Sequence, residues 1–324
     1  MYNVRIEPAG IMYNSEANLL EDALTQNISL EHSCKTGDCG VCKCEVLSGS
    51  VMNENRQVVT QGHVLACQSK ALSNVVVSAN YYPELDALRK QTVPCKVSKV
   101  TYLTKDIVAL KFRLPPSSNF NYLPGQYVDL SFKGVVRSYS IANAKNATKE
   151  LEFHIRRVHS GKMSNLIFEN VKTDQLMRLE GPKGTFFVRE GEKPLLFLAT
   201  GTGIAPIKAM VEKLVATADP REIYIFWGMR YANEIYDEYF QILSKQLKQL
   251  HFFSVTSQEE NENGYSGYVQ DIVCKHFDSL ERFDVYACGS LKMIDDAREK
   301  FYVKCLKHKA FHSDAFLPAK QLQT

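Results

Sequence analysis

The placement of the cysteines constrains this chain more than any other feature. There are nine, an odd number, and four of them, Cys34, Cys39, Cys42 and Cys44, crowd into one short segment. The N-terminus, MYNVRIEPAG, has no basic stretch followed by an apolar run, so no secretory signal is visible and a cytoplasmic location is expected. In a reducing compartment, thiols grouped this way point to metal ligation rather than to a disulfide framework.

The spacing narrows the metal. Cys34-x4-Cys39-x2-Cys42, with Cys67 following after 24 residues, is the plant-type [2Fe–2S] pattern. Four soft, anionic thiolates are needed to complete two tetrahedral irons. Gly37 and Gly40 allow left-handed backbone in the loop, so that N–H groups can turn toward sulfur. Such hydrogen bonds help set a potential that lies around −400 mV for this ligand type. Three rivals fit less well. A zinc site would show two separated Cys-x2-Cys pairs, a redox Cys-x2-Cys would not need Cys34, and a Rieske centre would need two His near two Cys. Cys44 falls in the alternating run KCEVL, whose inward face would carry Cys44 and Val46, and it reads as a small core residue. Cys95, Cys274 and Cys305 read the same way.

At 324 residues, with 45% hydrophobic and 23% charged side chains, the chain can build two or three domains. No apolar run approaches the roughly 20 residues needed to cross a bilayer, so no membrane span is expected, and Leu195 to Ala199 reads as a buried strand. The net charge of +3 is too small to indicate a nucleic-acid partner. Residues 1–90 nevertheless carry 7 basic and 10 acidic side chains while the rest carries 32 and 26. That asymmetry suits docking or electrostatic steering, or is scattered surface charge.

Three modules are expected. Residues 1–90 alternate short strands and turns, with a helix at Leu19 to Asn27, a closing strand VVVSA at Val75 to Ala79, and a linker from Tyr82 to Thr92. Residues 91–190 read as all β, through CKVSKVTYL, IVALKFRL, QYVDLSF, RSYSIAN and LEFHIRRV, and suggest an antiparallel barrel. In 191–324, strands PLLFLAT, EIYIFWG, HFFSVTS and FDVYACG alternate with helical stretches at Ile207 to Ala218, in YDEYFQILSKQL and near Gln270. That alternation means a parallel, doubly wound α/β sheet.

Arg137-Ser138-Tyr139-Ser140 followed by Ile141-Ala142-Asn143 resembles the RxYS signature of the ferredoxin reductase superfamily. The resemblance implies a β-grasp fold for the front module and FAD in the barrel. Tyr139 would stack on the isoalloxazine, the Ser140 hydroxyl would face the hydride-accepting N5, and Arg137 would neutralise the pyrophosphate. Two more elements match: the strand with His154, Ile155 and Arg156, and the turn Gly161-Lys162-Met163-Ser164, which opens a helix whose N–H groups can bind pyrophosphate. By themselves these are common residues on ordinary strands. FMN is the alternative cofactor, since some relatives with a ferredoxin module use it, although they usually carry that module at the C-terminus.

Gly201-Thr202-Gly203-Ile204-Ala205-Pro206 lies where a buried strand feeds a helix, which suits a close approach of backbone to phosphate, and it matches the superfamily's GTGIAP element. Cys288-Gly289-Ser290 matches its Cys-Gly element, which implies that Cys288 positions the nicotinamide near C4; a plain buried cysteine is the alternative. The acidic run Gln258-Glu259-Glu260 would repel a 2′-phosphate and favours NADH over NADPH, with Arg230 as the counter-argument. The resemblance also implies that Phe311 to Phe316 closes over the flavin, with Phe316 shielding the ring, or else simply completes the sheet.

The resemblance covers nearly the whole chain. It implies an NADH-dependent oxidoreductase that passes electrons from NADH to FAD, then to [2Fe–2S], then to an acceptor enzyme. The module order is that of oxygenase reductases and of the CDP-6-deoxy-Δ3,4-glucoseen reductase type. IEPAGIMYNSEANLLEDAL, SCKTGDCGVCKCEVLSG, PGQYVDL and RSYSIANA look closer to the latter. The expected partner is therefore the iron–sulfur, PMP-dependent dehydrase of dideoxysugar biosynthesis. An oxygenase is the alternative acceptor, a redox-sensing carrier the alternative of another class, and a monomer the expected state.

Overall fold

The computed structural model describes residues 1–146, 148–261 and 264–317. The chain divides into two compact units, Met1–Arg89 and Lys90 onward.

In the first unit, β1 (Tyr2–Glu7) runs antiparallel to β2 (Ile11–Ser15) and parallel to β5 (Val75–Ser78), while β3 (Lys43–Ser48) joins β5 to β4 (Gly62–Leu65). Alternation decides the faces: Val4 and Ile6 are buried and Arg5 is exposed. Helix α1 (Leu19–Thr25) starts at Asn18, whose Oδ1 accepts the Glu21 N–H at 2.8 Å, and buries Leu19, Leu20 and Ala23 against the sheet. Asp22 fixes the entry turn by accepting from the Ser15 hydroxyl and from the N–H groups of Glu16 and Ala17. One helix on a mixed sheet is the grasp arrangement expected.

The second unit holds two sheets. Six antiparallel strands, β6 (Gln91–Tyr102), β7 (Ile107–Arg113), β8 (Tyr127–Phe132), β9 (Val135–Ser140), β10 (Glu150–Arg156) and β11 (Leu176–Lys183), take the order β9-β8-β11-β6-β7-β10. The sheet curls into a barrel because its edges meet: the Ala142 N–H, just past β9, donates to the Glu152 carbonyl on β10 at 2.8 Å. Asn143 reinforces the seam by accepting from the Glu152 N–H and donating to the Glu150 carbonyl. Val128, Leu130, Phe132, Phe112 and Phe153 fill the interior.

The other sheet is wholly parallel. Its strands are β12 (Leu195–Thr200), β13 (Ile223–Met229), β14 (Leu250–Thr256), β15 (Tyr265–Ser266), β16 (Asp284–Gly289) and β17 (Phe311–Ala315), in the order β15-β14-β13-β12-β16-β17. Strand β12 is apolar throughout because both faces are covered. Leu195, Phe197 and Ala199 pack under helices α3 (Ile204–Ala216) and α4 (Tyr239–Gln246). Leu196 and Leu198 pack under α5 (Val269–His276) and α6 (Leu291–Val303). The chain leaves β12 toward one edge and returns to its other side at β16. The switch point, where α/β sheets bind ligands, therefore lies between the ends of β12 and β16. Helix α3 begins three residues before the expected start, with Pro206 inside its first turn, where a missing N–H does no harm. No helix among the described residues is long and apolar enough to cross a membrane.

Candidate functional site

The cysteine loop brings its thiols together as two pairs. Cys34 Sγ accepts the N–H groups of Thr36 and Cys39 at 3.4 Å each, and the Cys34 N–H reaches back to Cys39 Sγ at 3.5 Å. Cys67, in a single turn of helix at Ala66–Gln68, places Sγ 3.3 Å from Cys42 Sγ. Sulfurs sharing a tetrahedral metal with bonds of about 2.3 Å stand about 3.7 Å apart. Among the described residues, no three metal-ligating side chains converge on one point. Two pairs suit two metals rather than one, so the donor set fits a binuclear cluster and not zinc. The loop needs its glycines at φ +88° (Gly37) and +69° (Gly40), conformations that a side chain makes costly. Cys44 faces the core opposite Val64, and burial pushes its thiol up to about 12, which leaves it neutral. None of the nine cysteines forms a disulfide.

On the barrel, Arg137 and Tyr139 share one face of β9. Arg137 is half-buried, and its Nη1 donates to the Val136 carbonyl at 2.6 Å. Tyr139 lies partly buried against the barrel core, and burial raises its hydroxyl far above the usual phenol range, so it stays neutral. Ser138 donates to Asp129 at 2.6 Å, and Asp129 also holds Lys183. Ser140 is buried at the strand end. At Gly161, an added Cβ would stand 2.6 Å from Ser164 Oγ, because that hydroxyl closes the turn by accepting the Val158 N–H. Met163 and Ile155 point into the core, while Lys162 opens helix α2 (Lys162–Asn170).

His154 is turned inward. Its Nε2 meets Glu152 Oε1 at 2.8 Å and its Nδ1 meets the Tyr236 hydroxyl at 3.1 Å. A carboxylate only accepts, so Nε2 carries the proton. Burial pushes the Glu152 carboxyl up, but His154, Lys208 and Lys111 outweigh it and hold it at about 2. Arg156 reaches across to the other sheet: its Nη2 lies 3.5 Å from Glu234, and its Nη1 would be 3.5 Å from a Cβ at Gly201. The structure thus sets Arg156 beside the Gly201–Gly203 turn.

Gly201–Gly203 forms a tight turn at the switch point. Gly201 has φ +59°, and its carbonyl accepts the Trp227 indole N–H at 3.0 Å. Thr202 is half-buried in the same turn. Gly203 packs so closely that a Cβ would stand 2.3 Å from the Cys288 carbonyl oxygen. Gly289 has φ +141°, with Thr200 Oγ1 filling the place of its Cβ at 2.2 Å. Only glycines permit this approach of the two strand ends, beside which α3 and α6 begin, the latter capped by Ser290. The Cys288 thiol itself is fully buried in the core, and burial raises it well above the usual range. Phe316, half-exposed, donates its N–H to the Gly289 carbonyl at 2.8 Å, which sets it beside this turn. Arg230, exposed just past the end of β13, donates its N–H to Glu234 Oε2 at 3.2 Å, and Glu259 accepts the Ala232 N–H. Sequence reasoning missed Trp227, Glu234, Tyr236 and the Glu152–Lys208–Glu212 group, none of which forms a recognisable motif.

A paired-thiol iron site, a flavin barrel and a parallel nucleotide-binding sheet in one chain define an iron–sulfur flavoprotein oxidoreductase. Three family models agree: the 2Fe-2S iron-sulfur cluster binding domain matches residues 4–72, the oxidoreductase FAD-binding domain 94–188 and the oxidoreductase NAD-binding domain 197–299. Protein RfbI of Salmonella typhimurium is 43% identical, covering 99% of this chain and 98% of its own. The CDP-6-deoxy-L-threo-D-glycero-4-hexulose-3-dehydrase reductase of Yersinia pestis is 42% identical over 98% of this chain and 99% of its own. The crystal structure of the Amycolatopsis cytochrome P450 reductase GcoB, 25% identical, superposes with a TM-score of 0.79, covering 99% of this chain and all of that one. The chain belongs to the family of ferredoxin reductase-type electron-transfer reductases that carry an N-terminal [2Fe–2S] domain. It uses NADH, FAD and a [2Fe–2S] cluster to deliver electrons to a partner enzyme.

Proposed function

We propose that this reductase serves the dehydrase of 3,6-dideoxysugar nucleotide biosynthesis, which removes the C3 hydroxyl of a CDP-6-deoxy-4-hexulose. One observation carries the reading: 42% identity along nearly the full length of a Yersinia reductase named for that dehydrase, against 25% for a P450 reductase of the same fold. In this reading Cys34, Cys39, Cys42 and Cys67 hold the cluster. Arg137, Ser138, Tyr139, Ser140 and the turn Gly161 to Ser164 hold FAD. The nicotinamide nucleotide lies on Gly201, Thr202 and Gly203, with Arg156, Arg230, Gly289 and Phe316 at its margins, and Cys288 shapes the pocket floor from beneath. Module boundaries near 90 and 190 belong to the same proposal, as does action as a cytoplasmic monomer, where reducing conditions would keep nine thiols out of disulfides.

When bound, the cofactors take two electrons together from NADH and release them one at a time. The protein positions them. Gly201 and Gly203 bring backbone N–H groups to phosphate, Tyr139 offers a neutral aromatic face, and the Ser140 hydroxyl offers a hydrogen bond at the end of β9. No side chain needs to move a proton during hydride transfer. Glu259, held at the end of β14 by the Ala232 N–H, supports NADH over NADPH because a 2′-phosphate there would meet a carboxylate.

The test is anaerobic NADH oxidation with each candidate acceptor. The purified dehydrase with its PMP and CDP-6-deoxy-4-hexulose substrate should sustain turnover, and a ring-hydroxylating oxygenase should not. Efficient turnover with the oxygenase alone would reverse the assignment.

A further inference from the structure

Helix α3 grips the flavin strand as well as carrying the phosphate turn. One turn into the helix, Lys208 Nζ lies 2.7 Å from Glu212 Oε1, 3.5 Å from Glu152 Oε1 and 3.4 Å from the Ala142 carbonyl. One turn further, Glu212 Oε2 accepts the Ala144 N–H at 2.8 Å. Ala142 and Ala144 follow directly on Ser140, and the Ala142 N–H is itself the barrel seam to Glu152. Lys208 is only 12% exposed and Glu152 only 13%, so these charges are largely desolvated and were not placed there for solubility. Burial alone would lower the Lys208 ammonium, but Glu152 and Glu212 raise it, so the group stays fully ionised. His154 and Lys111 complete the charge on Glu152.

We propose that Lys208 and Glu212 are positioning residues for hydride transfer, fixing the nicotinamide phosphate turn and the Tyr139–Ser140 end of the flavin strand to one rigid rod. The proposal rests on the reading of those two segments as the nucleotide and flavin contacts. From Ile204 to Lys208 the helix rises about 6 Å, and no hinge intervenes. The geometry therefore ties the donor carbon of NADH to the accepting nitrogen of FAD through one helix, two carboxylates and an ammonium. Releasing the grip leaves both binding surfaces intact and loosens only their separation. A displacement of about 1 Å between reacting atoms slows such a step about 100-fold.

The experiment is anaerobic stopped-flow reduction of the FAD-loaded, cluster-containing protein by NADH, for wild type, Lys208→Met, Lys208→Arg and Glu212→Ala. Lys208→Met and Glu212→Ala should lower the limiting rate of flavin reduction by about 10- to 100-fold. The NADH concentration giving half that rate, and the FAD content, should stay unchanged. Lys208→Arg should recover most of the rate. A second readout is independent of turnover: amide exchange at Ala144 should accelerate in Glu212→Ala, both with and without FAD. A wild-type limiting rate in Lys208→Met and Glu212→Ala, or a loss in them of NADH affinity only, overturns the proposal. If Lys208→Met and Glu212→Ala fail to fold, the Ala144 exchange in Glu212→Gln decides, because a neutral amide oxygen accepts that N–H more weakly than a carboxylate does; unchanged exchange would refute the grip. Failure of the parent reading would show differently, as a wild-type flavin that NADH does not reduce at all.

Discussion

Replacing Gly203 by alanine should damage the nucleotide site far more than the same change two residues earlier. Gly203 has ordinary helical dihedrals, φ −60° and ψ −13°, so alanine suffers no backbone penalty there. Its Cβ, however, would stand 2.3 Å from the Cys288 carbonyl oxygen, 2.6 Å from that carbonyl carbon and 2.9 Å from the Gly289 nitrogen. All three are backbone atoms of the central strand β16 and cannot swing aside, so the turn must move by well over half an ångström. Overpacking of this kind costs about 1–3 kcal/mol, a 5- to 150-fold loss when it falls on binding. Gly201 is the converse. Its φ of +59° disfavours alanine by about 1–2 kcal/mol, yet the nearest neighbour to its Cβ would be the flexible end of Arg156 at 3.5 Å. The NADH concentration that gives half the limiting rate of flavin reduction, measured by anaerobic stopped flow on the FAD-loaded protein, separates the two. Gly203→Ala should weaken NADH by up to about 150-fold with the cluster spectrum untouched, and Gly201→Ala by no more than about 30-fold. Equal affinities for Gly203→Ala and wild type would refute the steric argument. A greater loss in Gly201→Ala would mean that strain, not close approach, governs the turn.

The cluster assignment is tested by Cys42→Ser, which should abolish the visible iron–sulfur bands while NADH still reduces FAD, and by Cys44→Ser, which should leave those bands unchanged; loss of the cluster in the latter would show that a ligand was misassigned. Glu259→Gln removes the carboxylate at the nucleotide's expected ribose end and should narrow the NADH-over-NADPH ratio of kcat/KM by about tenfold, the equivalent of 1.4 kcal/mol; an unchanged ratio would locate discrimination elsewhere. Glu152 ionises at about 2 in the fold against an ordinary 4.5. A depressed carboxyl contributes stability above 4.5 that is lost as pH falls toward 2, up to about 3 kcal/mol. Denaturant unfolding should therefore show Glu152→Gln least different from wild type near pH 2 and most different above pH 4.5, and a difference independent of pH would exclude the charge as its source.

Metal and phosphate leave strong marks on a sequence because they demand particular residues at particular spacings. Cys34, Cys39, Cys42 and Cys67 stood out by their spacing and Gly201 and Gly203 by their place between a buried strand and a helix; the structure gathers the thiols and packs Gly203 against β16. The parallel sheet was legible from the alternation of strands with helical stretches after Gly191, and Leu195 to Ala199 read as the buried strand that β12 is. What could not be read is which way a strand residue turns once the barrel closes. His154 and Ile155 belong to a recognisable element, yet one is satisfied by Glu152 and Tyr236 and the other fills the core. Arg156, next along the strand, reaches Glu234 and the Gly201 turn, and His154 meets the same segment after β13 through Tyr236. Likewise the Cys288 backbone carbonyl fits against Gly203, while its thiol is buried. Lys208 and Glu212 were invisible for a different reason: at i and i+4 they look like any solvent-facing helix pair, and only the tertiary fold brings Glu152 and the backbone of Ala142 and Ala144 against them.

These blind spots share a cause in the chemistry. An enzyme whose cofactors carry the electrons needs no poised acid or base, so its site lacks the perturbed titrating groups that usually betray one. The strongly shifted groups in the second unit stay in a single charge state near neutral pH: Tyr139 and the Cys288 thiol are raised by burial, and Glu152 is held down by His154, Lys208 and Lys111 against its burial. Rate then depends on separation, and separation is set by residues that touch neither cofactor. The clearest consequences of mutation should therefore fall on glycines that let backbones meet and on buried charges that hold them together.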